Sequence, residues 1–410
     1  MRCFVIIFPI FVSMKFPNKL KNKINSRVEN KALRTLDLQS NLIDFSSNDY
    51  LGFAKSETIF DGAHQFLVGE NLKINGATGS RLISGNHFLY DVVENQISEF
   101  HQSEAALIFN SGYDANLGFF SSVPQRGDVI IYDEFIHASI RDGIQVSNAK
   151  AYKFKHNDIE DLASLLKRHY ELVSESHTEI YIVTESVFSM DGDMPDLVAM
   201  SEICKKHNAF FVVDEAHAIG VFGQHGCGEI QRLGIEKAVF ARIITFGKGL
   251  GCHGAAIVGS KELKQYLVNF ARSFVYTTGL APHALATIKM AYNQLNVSSS
   301  ISTSLNTGFV ENSQQKLQEN IQFFKSEIRR LQLQKVFIES NSAIHCCLVS
   351  GAIKTKKIAD QLQQKGYDVK AILSPTVSVG EERLRFCLHS YNARKEITNI
   401  LENLNIFTHN

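Results

Sequence analysis

Proline is scarce in this 410-residue chain, six residues in all, and no apolar stretch approaches the roughly 20 residues that cross a bilayer as a helix. The first shortage argues against a collagenous or disordered chain, and the second against repeated membrane spans. Net charge is also missing: 42 Lys plus Arg balance 42 Asp plus Glu, so no global positive field draws in nucleic acid or an acidic membrane. The seven cysteines (3, 204, 227, 252, 346, 347 and 387) are odd in number and scattered, and none forms a CxxC pair. That excludes the pattern of a zinc ribbon or a thiol redox site and disfavours a disulfide framework, which fits a reducing cytoplasm.

What is present is ordinary globular material, 44% apolar and 20% charged, with length for two or three domains. An apolar run from Cys3 to Val12 has the shape of a signal-peptide core, but no A-x-A-like cleavage site follows it. Residues 1–13 therefore read as an extension ahead of a start at Met14, with a weak export signal as the alternative. A polar, helix-prone arm follows, over 14–45. The expected large domain covers 46–296, and the Ser/Thr-rich stretch Asn296 to Gly308 reads as a linker into a smaller α+β domain over 297–410.

The large domain repeats one pattern: a short β-rich apolar run, a polar tip, then a helical stretch. The runs are ALIF (106–109), VIIY (129–132), IYIVT (180–184), AFFVV (209–213) and ARIIT (241–245). Continuous apolar runs separated by helices predict strands buried on both faces, hence an α/β fold with a mainly parallel sheet. In such sheets ligands bind beyond the carboxyl ends of the strands. There the sequence sets Asp133 and His137 after the second run, Glu185, Ser189 and Asp191 after the third, Asp214 and His217 after the fourth, and Lys248 after the fifth.

Lys248 lies in TFGKGLG between two glycines. It reads either as a surface lysine in a turn or as a desolvated amine able to attack carbonyls, a Schiff-base lysine. Asp214, at the end of a buried strand in VVDEAH, needs a positive or donor partner, and a protonated pyridine nitrogen is one. His217 follows on the same side of the turn, or is a helix-start histidine in water. The string DEAH does not make a helicase, because no G-x-x-x-x-G-K-[ST] loop accompanies it. In IFNSGYDAN, Gly112 and Tyr113 open a helix whose free amides suit a phosphate, or Ser111 is a plain N-cap. NGATGSR (75–81) is a glycine-rich turn without the preceding strand of a nucleotide loop. Arg383 and Arg385 alternate in RLRFCL and share a strand face, suited to a carboxylate or simply to solvent.

Eight motifs in order carry a resemblance: FSSNDYLGF (45–53), GATGSR (76–81), FNSGYDAN (109–116), IHAS (136–139), VFSMDGD (187–193), VDEAH (213–217), TFGKGLG (245–251) and PTVSVGEERLR (375–385). From about Lys19 onwards the chain resembles the α-oxoamine synthases, pyridoxal-phosphate enzymes of the fold type I aminotransferase class. The resemblance implies pyridoxal 5'-phosphate as cofactor. It makes Lys248 the lysine that carries it, Asp214 the partner of the pyridine nitrogen, His217 the ligand of the ring oxygen, and His137 the group stacked on the ring. Ser189 would lie near the ring oxygen, and Gly112, Tyr113 and Thr245 around the phosphate. Thr277 and Thr278 would reach the phosphate of a neighbouring subunit, hence a homodimer with shared sites. Arg385 would hold the amino-acid carboxylate with Asn48 nearby, while Arg34 and Thr376 match substrate-contacting positions. Tyr90 stands where the family often has a histidine, with His87 close by.

TFGKG followed by GAA (254–256), with FSSNDYLG and the ALRTL of the arm, points to the branch that condenses L-alanine with a pimeloyl thioester, carried on coenzyme A or an acyl-carrier protein. Sister enzymes using glycine, namely 2-amino-3-ketobutyrate ligase and 5-aminolevulinate synthase, or the serine-using palmitoyltransferase, are the alternatives. A catalytically dead scaffold of the same fold is the reading of a different class. No nucleic-acid or membrane partner and no metal is expected.

Overall fold

The computed structural model describes residues 15–29, 33–36, 41–173, 178–300 and 313–409. The apolar run Cys3 to Val12 lies outside them. The chain divides between Asn41 and Leu42 into two units. The first contains the expected arm helix, Asn18–Glu29, whose basic surface is exposed along nearly its whole length.

The second unit begins with β1 (Ile43–Asp44) and then lays down a seven-stranded sheet. Its strands are β2 (Ala105–Phe109), β3 (Val129–Asp133), β4 (Lys150–Phe154), β5 (Ile180–Glu185), β6 (Phe210–Asp214), β7 (Ala241–Thr245) and β8 (Ala255–Gly259). The order is β2-β8-β7-β6-β5-β3-β4, and β8 alone runs against the others. The sheet is thus mainly parallel, as the apolar runs predict, and each of the five runs is a strand. Alternate residues feed opposite faces. Ile130, Tyr181, Val183 and Val212 pack with Phe119, Phe120 and Ile140 of the helices on one side. Val129, Ile131, Ile180, Ile182, Phe211 and Val213 pack with Leu162, Leu166, Leu197 and Met200 on the other. Burying each such side chain contributes about 1.5 to 3 kcal/mol, so both helix layers are fixed by the period-two alternation of the strands.

A second sheet of three antiparallel strands, β11-β12-β9, is built from β9 (Ile344–Leu348), β11 (Lys370–Ile372) and β12 (Arg383–Cys387). The short β10 (Tyr367–Asp368) pairs in parallel with β1, so the segment entering the large sheet is tied to the C-terminal region. Helices Ser313–Arg330, Ala352–Gln364 and Arg394–His409 accompany this sheet. One expectation is corrected: Asn296 to Ser300 is no linker but the end of helix Pro282–Ser300, whose buried Leu285, Ile288, Tyr292 and Leu295 carry the helical period up to it. The rest of that stretch lies outside the described residues. No helix among the described residues is long and apolar enough to cross a membrane.

Candidate active site

The carboxyl ends of β2, β3, β5, β6 and β7 deliver polar residues to one rim of the sheet. At its centre Lys248, half-buried in the turn after β7, places Nζ 2.7 Å from His217 Nε2. His217 Nδ1 lies 2.7 Å from the Tyr50 hydroxyl, which lies 3.3 Å from Asn48 Oδ1. With the Lys248 ammonium donating to Nε2, the ring proton belongs on Nδ1 and donates to Tyr50, whose own proton goes to Asn48. Asn48 Oδ1 also accepts from Arg385 Nη2 at 3.0 Å. A continuous hydrogen-bonded chain therefore runs from the lysine to the arginine.

Burial lowers the Lys248 amine to about 8, although the Asp214 and Glu185 carboxylates pull the other way. Near neutral pH a useful fraction is the free amine, which is what nucleophilic attack and proton abstraction both require. Burial, reinforced by Lys248 and Arg385, holds His217 well below the usual histidine range, so its ring is neutral.

Asp214 closes β6 and is buried. Asn116 Nδ2 donates to its Oδ2 at 2.8 Å and the Ala216 N–H to its Oδ1 at 2.9 Å, both neutral donors. Asn116 Nδ2 also donates to Ser139 Oγ at 3.0 Å, and Ser139 Oγ stands 2.7 Å from His137 Nδ1. The Ser139 N–H points at the same His137 nitrogen, 3.2 Å away, so Nδ1 is an acceptor and the ring proton sits on Nε2. Burial lowers His137 in spite of Asp214, which again favours a neutral ring. Glu185, paired in register with Asp214 on the adjacent strand, accepts the His137 N–H at 2.5 Å, and burial next to Asp214 raises its carboxyl well above the usual range.

Gly112 begins helix Gly112–Ser122, with Ser111 as N-cap accepting the Asp114 N–H at 3.0 Å. The cap and the anion site are compatible, because the N–H groups of Gly112 and Tyr113 stand ahead of the helix's own ladder. A Cβ on Gly112 would come within 2.7 Å of Thr245 Oγ1, so only glycine leaves the space between them open. The exposed Tyr113 gives its hydroxyl to Asp142 at 2.5 Å. Asn110 Nδ2 donates to Thr277 Oγ1 at 2.9 Å and to the Thr278 carbonyl at 2.8 Å, which sets both threonines beside this end of β2.

Arg383 and Arg385 share a face, as their spacing predicts, but it is not a solvated one: both are buried against the turn 188–193. Arg383 is paired with Asp191. Arg385 donates from Nε to the Ser189 carbonyl at 2.7 Å and from Nη1 to Cys387 Sγ at 2.9 Å. Thr376 is exposed and lines, with Phe135, Arg141, Phe188 and Arg383, a neighbouring cleft of about 400 Å³. Arg34 belongs to the first unit, where it is exposed; the site described here is built from residues beyond Leu42. Tyr90 and His87 take no part in the constellation: Tyr90 lies under the Arg81 guanidinium, 3.7 Å from its ring centroid, and gives its hydroxyl to the Leu280 carbonyl at 3.3 Å.

The residues present fit pyridoxal phosphate. A space kept open by Gly112 at a helix N-terminus suits the phosphate, and a buried carboxylate held by neutral donors suits a protonated ring nitrogen. A neutral imidazole at His137 suits the ring face, and a lysine amine near 8 suits the aldehyde carbon. Sequence reasoning singled out the ends of these strands but missed the residues that hold them. Tyr50 sits inside the FSSNDYLGF motif itself, Asn116 closes FNSGYDAN in the second turn of the anion helix, and Ser139 closes IHAS two residues after His137.

The family described as Aminotransferase class I and II matches residues 40–404. An 8-amino-7-oxononanoate synthase of Emericella nidulans is 37% identical over 411 residues, 94% of each chain. Another, of Geotalea daltonii, is 37% identical over 351 residues, 86% of this chain and 84% of its own. Among solved structures, a serine palmitoyltransferase of Sphingomonas wittichii superposes with a TM-score of 0.82 at 26% identity, covering 96% of this chain and 97% of the other. An 8-amino-7-oxononanoate synthase of Francisella tularensis does so at 0.72 and 27% identity, covering 90% and 98%.

Proposed function

The chain belongs to the class I and II aminotransferase family and, within it, to the α-oxoamine synthases, pyridoxal-phosphate-dependent acyltransferases; from that premise we propose that it condenses L-alanine with a pimeloyl thioester to give 8-amino-7-oxononanoate, a step of biotin biosynthesis. The bond formed joins the alanine Cα to the acyl carbonyl carbon. The thiol leaves, and the alanine carboxylate departs as carbon dioxide.

When bound, pyridoxal phosphate supplies the electron sink for negative charge at the alanine Cα. With the cofactor in place, Asp214 would keep the ring nitrogen protonated, His137 would cover the ring face, Ser189 and His217 would serve its oxygen, and Gly112, Tyr113 and Thr245 would receive the phosphate. In a homodimer, the partner subunit's Thr277 and the partner subunit's Thr278 would complete that cradle. Arg385, with Asn48, takes the amino-acid carboxylate as a bidentate guanidinium partner. Lys248 Nζ, near 8, accepts the Cα proton and returns it to the product. The cleft beside the turn 188–193 gives the acyl chain an apolar wall in Phe135 and Phe188 and a cation in Arg141 for the far carboxylate, with Thr376 at its edge.

The observation that supports the reading is the unbroken chain from Lys248 through His217, Tyr50 and Asn48 to Arg385, which joins the amine proposed to accept the proton to the arginine proposed to bind the carboxylate. It is tested by steady-state turnover of the holoenzyme with pimeloyl, acetyl, succinyl and palmitoyl thioesters against alanine, glycine and serine. Highest kcat/KM with pimeloyl and alanine is expected. Highest efficiency with acetyl and glycine would move the chain to the ligase branch, and palmitoyl with serine to the sphingolipid branch.

A further inference from the structure

Arg385 does not stand on its own strand alone. Its Nε is held by the carbonyl of Ser189, in a turn that closes on itself: Phe188 N–H donates to the Asp193 carbonyl at 3.0 Å, and Gly192 N–H to the Phe188 carbonyl at 2.8 Å. This turn is pinned on two sides. Towards the three-stranded sheet, the Gly192 carbonyl accepts from Ser340 and Ser342 at 2.7 and 2.9 Å, the Met190 carbonyl accepts from Cys346 Sγ at 3.0 Å, and Asp191 pairs with Arg383. Towards the seven-stranded sheet, the side-chain link is a cluster centred on His156.

His156 follows β4 and bridges two carboxylates. Its Nδ1 lies 2.9 Å from Asp133 Oδ1 at the end of β3, and its Nε2 2.8 Å from Asp193 Oδ2 in the turn. The ring is sandwiched as well, stacked on Phe135 at 4.4 Å and meeting Phe188 edge-on at 4.5 Å. Asn157 reinforces the bridge, its N–H donating to Asp133 Oδ2 at 2.9 Å and its side chain to Asp193 Oδ2 at 2.6 Å. Both ring nitrogens face a carboxylate, so both donate, which makes the ring an imidazolium. Burial opposes that charge, but Asp133 and Asp193 outweigh it and lift His156 to about 9.

We infer that His156 is a positioning residue for amino-acid binding: by fastening the turn 188–193 to the end of β3 it sets where the Ser189 carbonyl holds Arg385, and thus how well that guanidinium receives the substrate carboxylate. Without it the turn stays attached to the three-stranded sheet through Gly192, Met190 and Asp191, while its link to the strand ends that carry His137 and Lys248 is weakened. A displacement of this kind weakens carboxylate binding without removing any group that takes part in the chemistry. The inference rests on the proposed function only in taking Arg385 as the carboxylate's partner.

The test compares holoenzyme carrying His156→Phe, which keeps both ring contacts and loses both donors, and Asp193→Asn, which keeps the histidine and loses the charge. Amino-acid affinity is read by titrating the cofactor absorbance, separately from turnover. The dissociation constant of the amino acid should rise roughly tenfold in each single variant, the scale of one lost charge-assisted hydrogen bond. In the double variant it should rise no further than in the worse single, because both act through one link. The cofactor spectrum without amino acid, and kcat at saturating amino acid, should stay within about twofold of wild type. Unchanged affinity in either soluble variant, or a fall in kcat at unchanged affinity, overturns the inference. If His156→Phe does not fold, Asp193→Asn decides. Should wild type respond to glycine or serine rather than alanine, the proposed substrate fails, yet the same ratio of constants is still read with the amino acid that binds.

Discussion

Lys248 is the residue on which the proposed chemistry turns, and its properties follow from its surroundings rather than from its sequence context. Between glycines in a turn it could have been an exposed lysine; the protein packed around its amine lowers it to about 8. Because the neutral amine is the species that attacks the cofactor aldehyde, capture of pyridoxal phosphate by the apoprotein should speed up as pH rises through about 8 and level off above it. Stopped-flow absorbance measures this, and a profile rising only near 10.5, the ordinary lysine value, would contradict the buried setting. Lys248→Ala should lower turnover by about a hundredfold or more, the usual scale of a lost proton-transfer group; borohydride should fix the cofactor to Lys248 in wild type and fix none at that position in the variant. Asp214→Asn should reduce turnover more than cofactor affinity, since an amide cannot sustain a protonated pyridine. Equal losses in the two, by equilibrium dialysis and steady-state rates, would assign Asp214 a merely structural part.

Among the elements, those whose burial is two-sided were legible in the sequence. VIIY and IYIV are apolar at every step because helices cover both faces, and the same logic marked the polar residues that follow them. Two strands of the seven-stranded sheet escaped. β4 reads KAYKF, an edge strand exposed at four of its five positions, where lysines replace the apolar signal and protect the edge. β8 reads AAIVG, short and small-sided, and a series built from parallel crossovers has no place for the one strand that runs backwards. The turn 188–193 was noticed for Ser189 and Asp191, yet its role as the joint between the two sheets depends on Ser340, Ser342 and His156, which no local pattern connects to it. Gly192 shows how tightly that joint is built: its φ is +78°, and a Cβ there would collide with the Ile344 carbonyl oxygen. Gly192→Ala should destabilise the protein by about 2 to 4 kcal/mol, combining the left-handed backbone with overpacking. A melting temperature unchanged by the substitution would show that the turn can move away from β9 at little cost.

At the scale of the whole molecule, scattered segments converge because parallel strands end on one rim, and the reaction assigned to that rim is a condensation with loss of carbon dioxide. Discrimination between alanine and glycine should be modest, because one methyl group in an apolar pocket is worth only about 1 to 3 kcal/mol, whereas the acyl partner offers a chain and a charge to recognise. The measurement that tests the account most directly supplies the holoenzyme with L-alanine labelled at its carboxyl carbon and pimeloyl thioester. One labelled carbon dioxide and one free thiol should be released for each 8-amino-7-oxononanoate formed, and none without the thioester. Retention of the label in the product, or release of thiol with no labelled carbon dioxide, would contradict it.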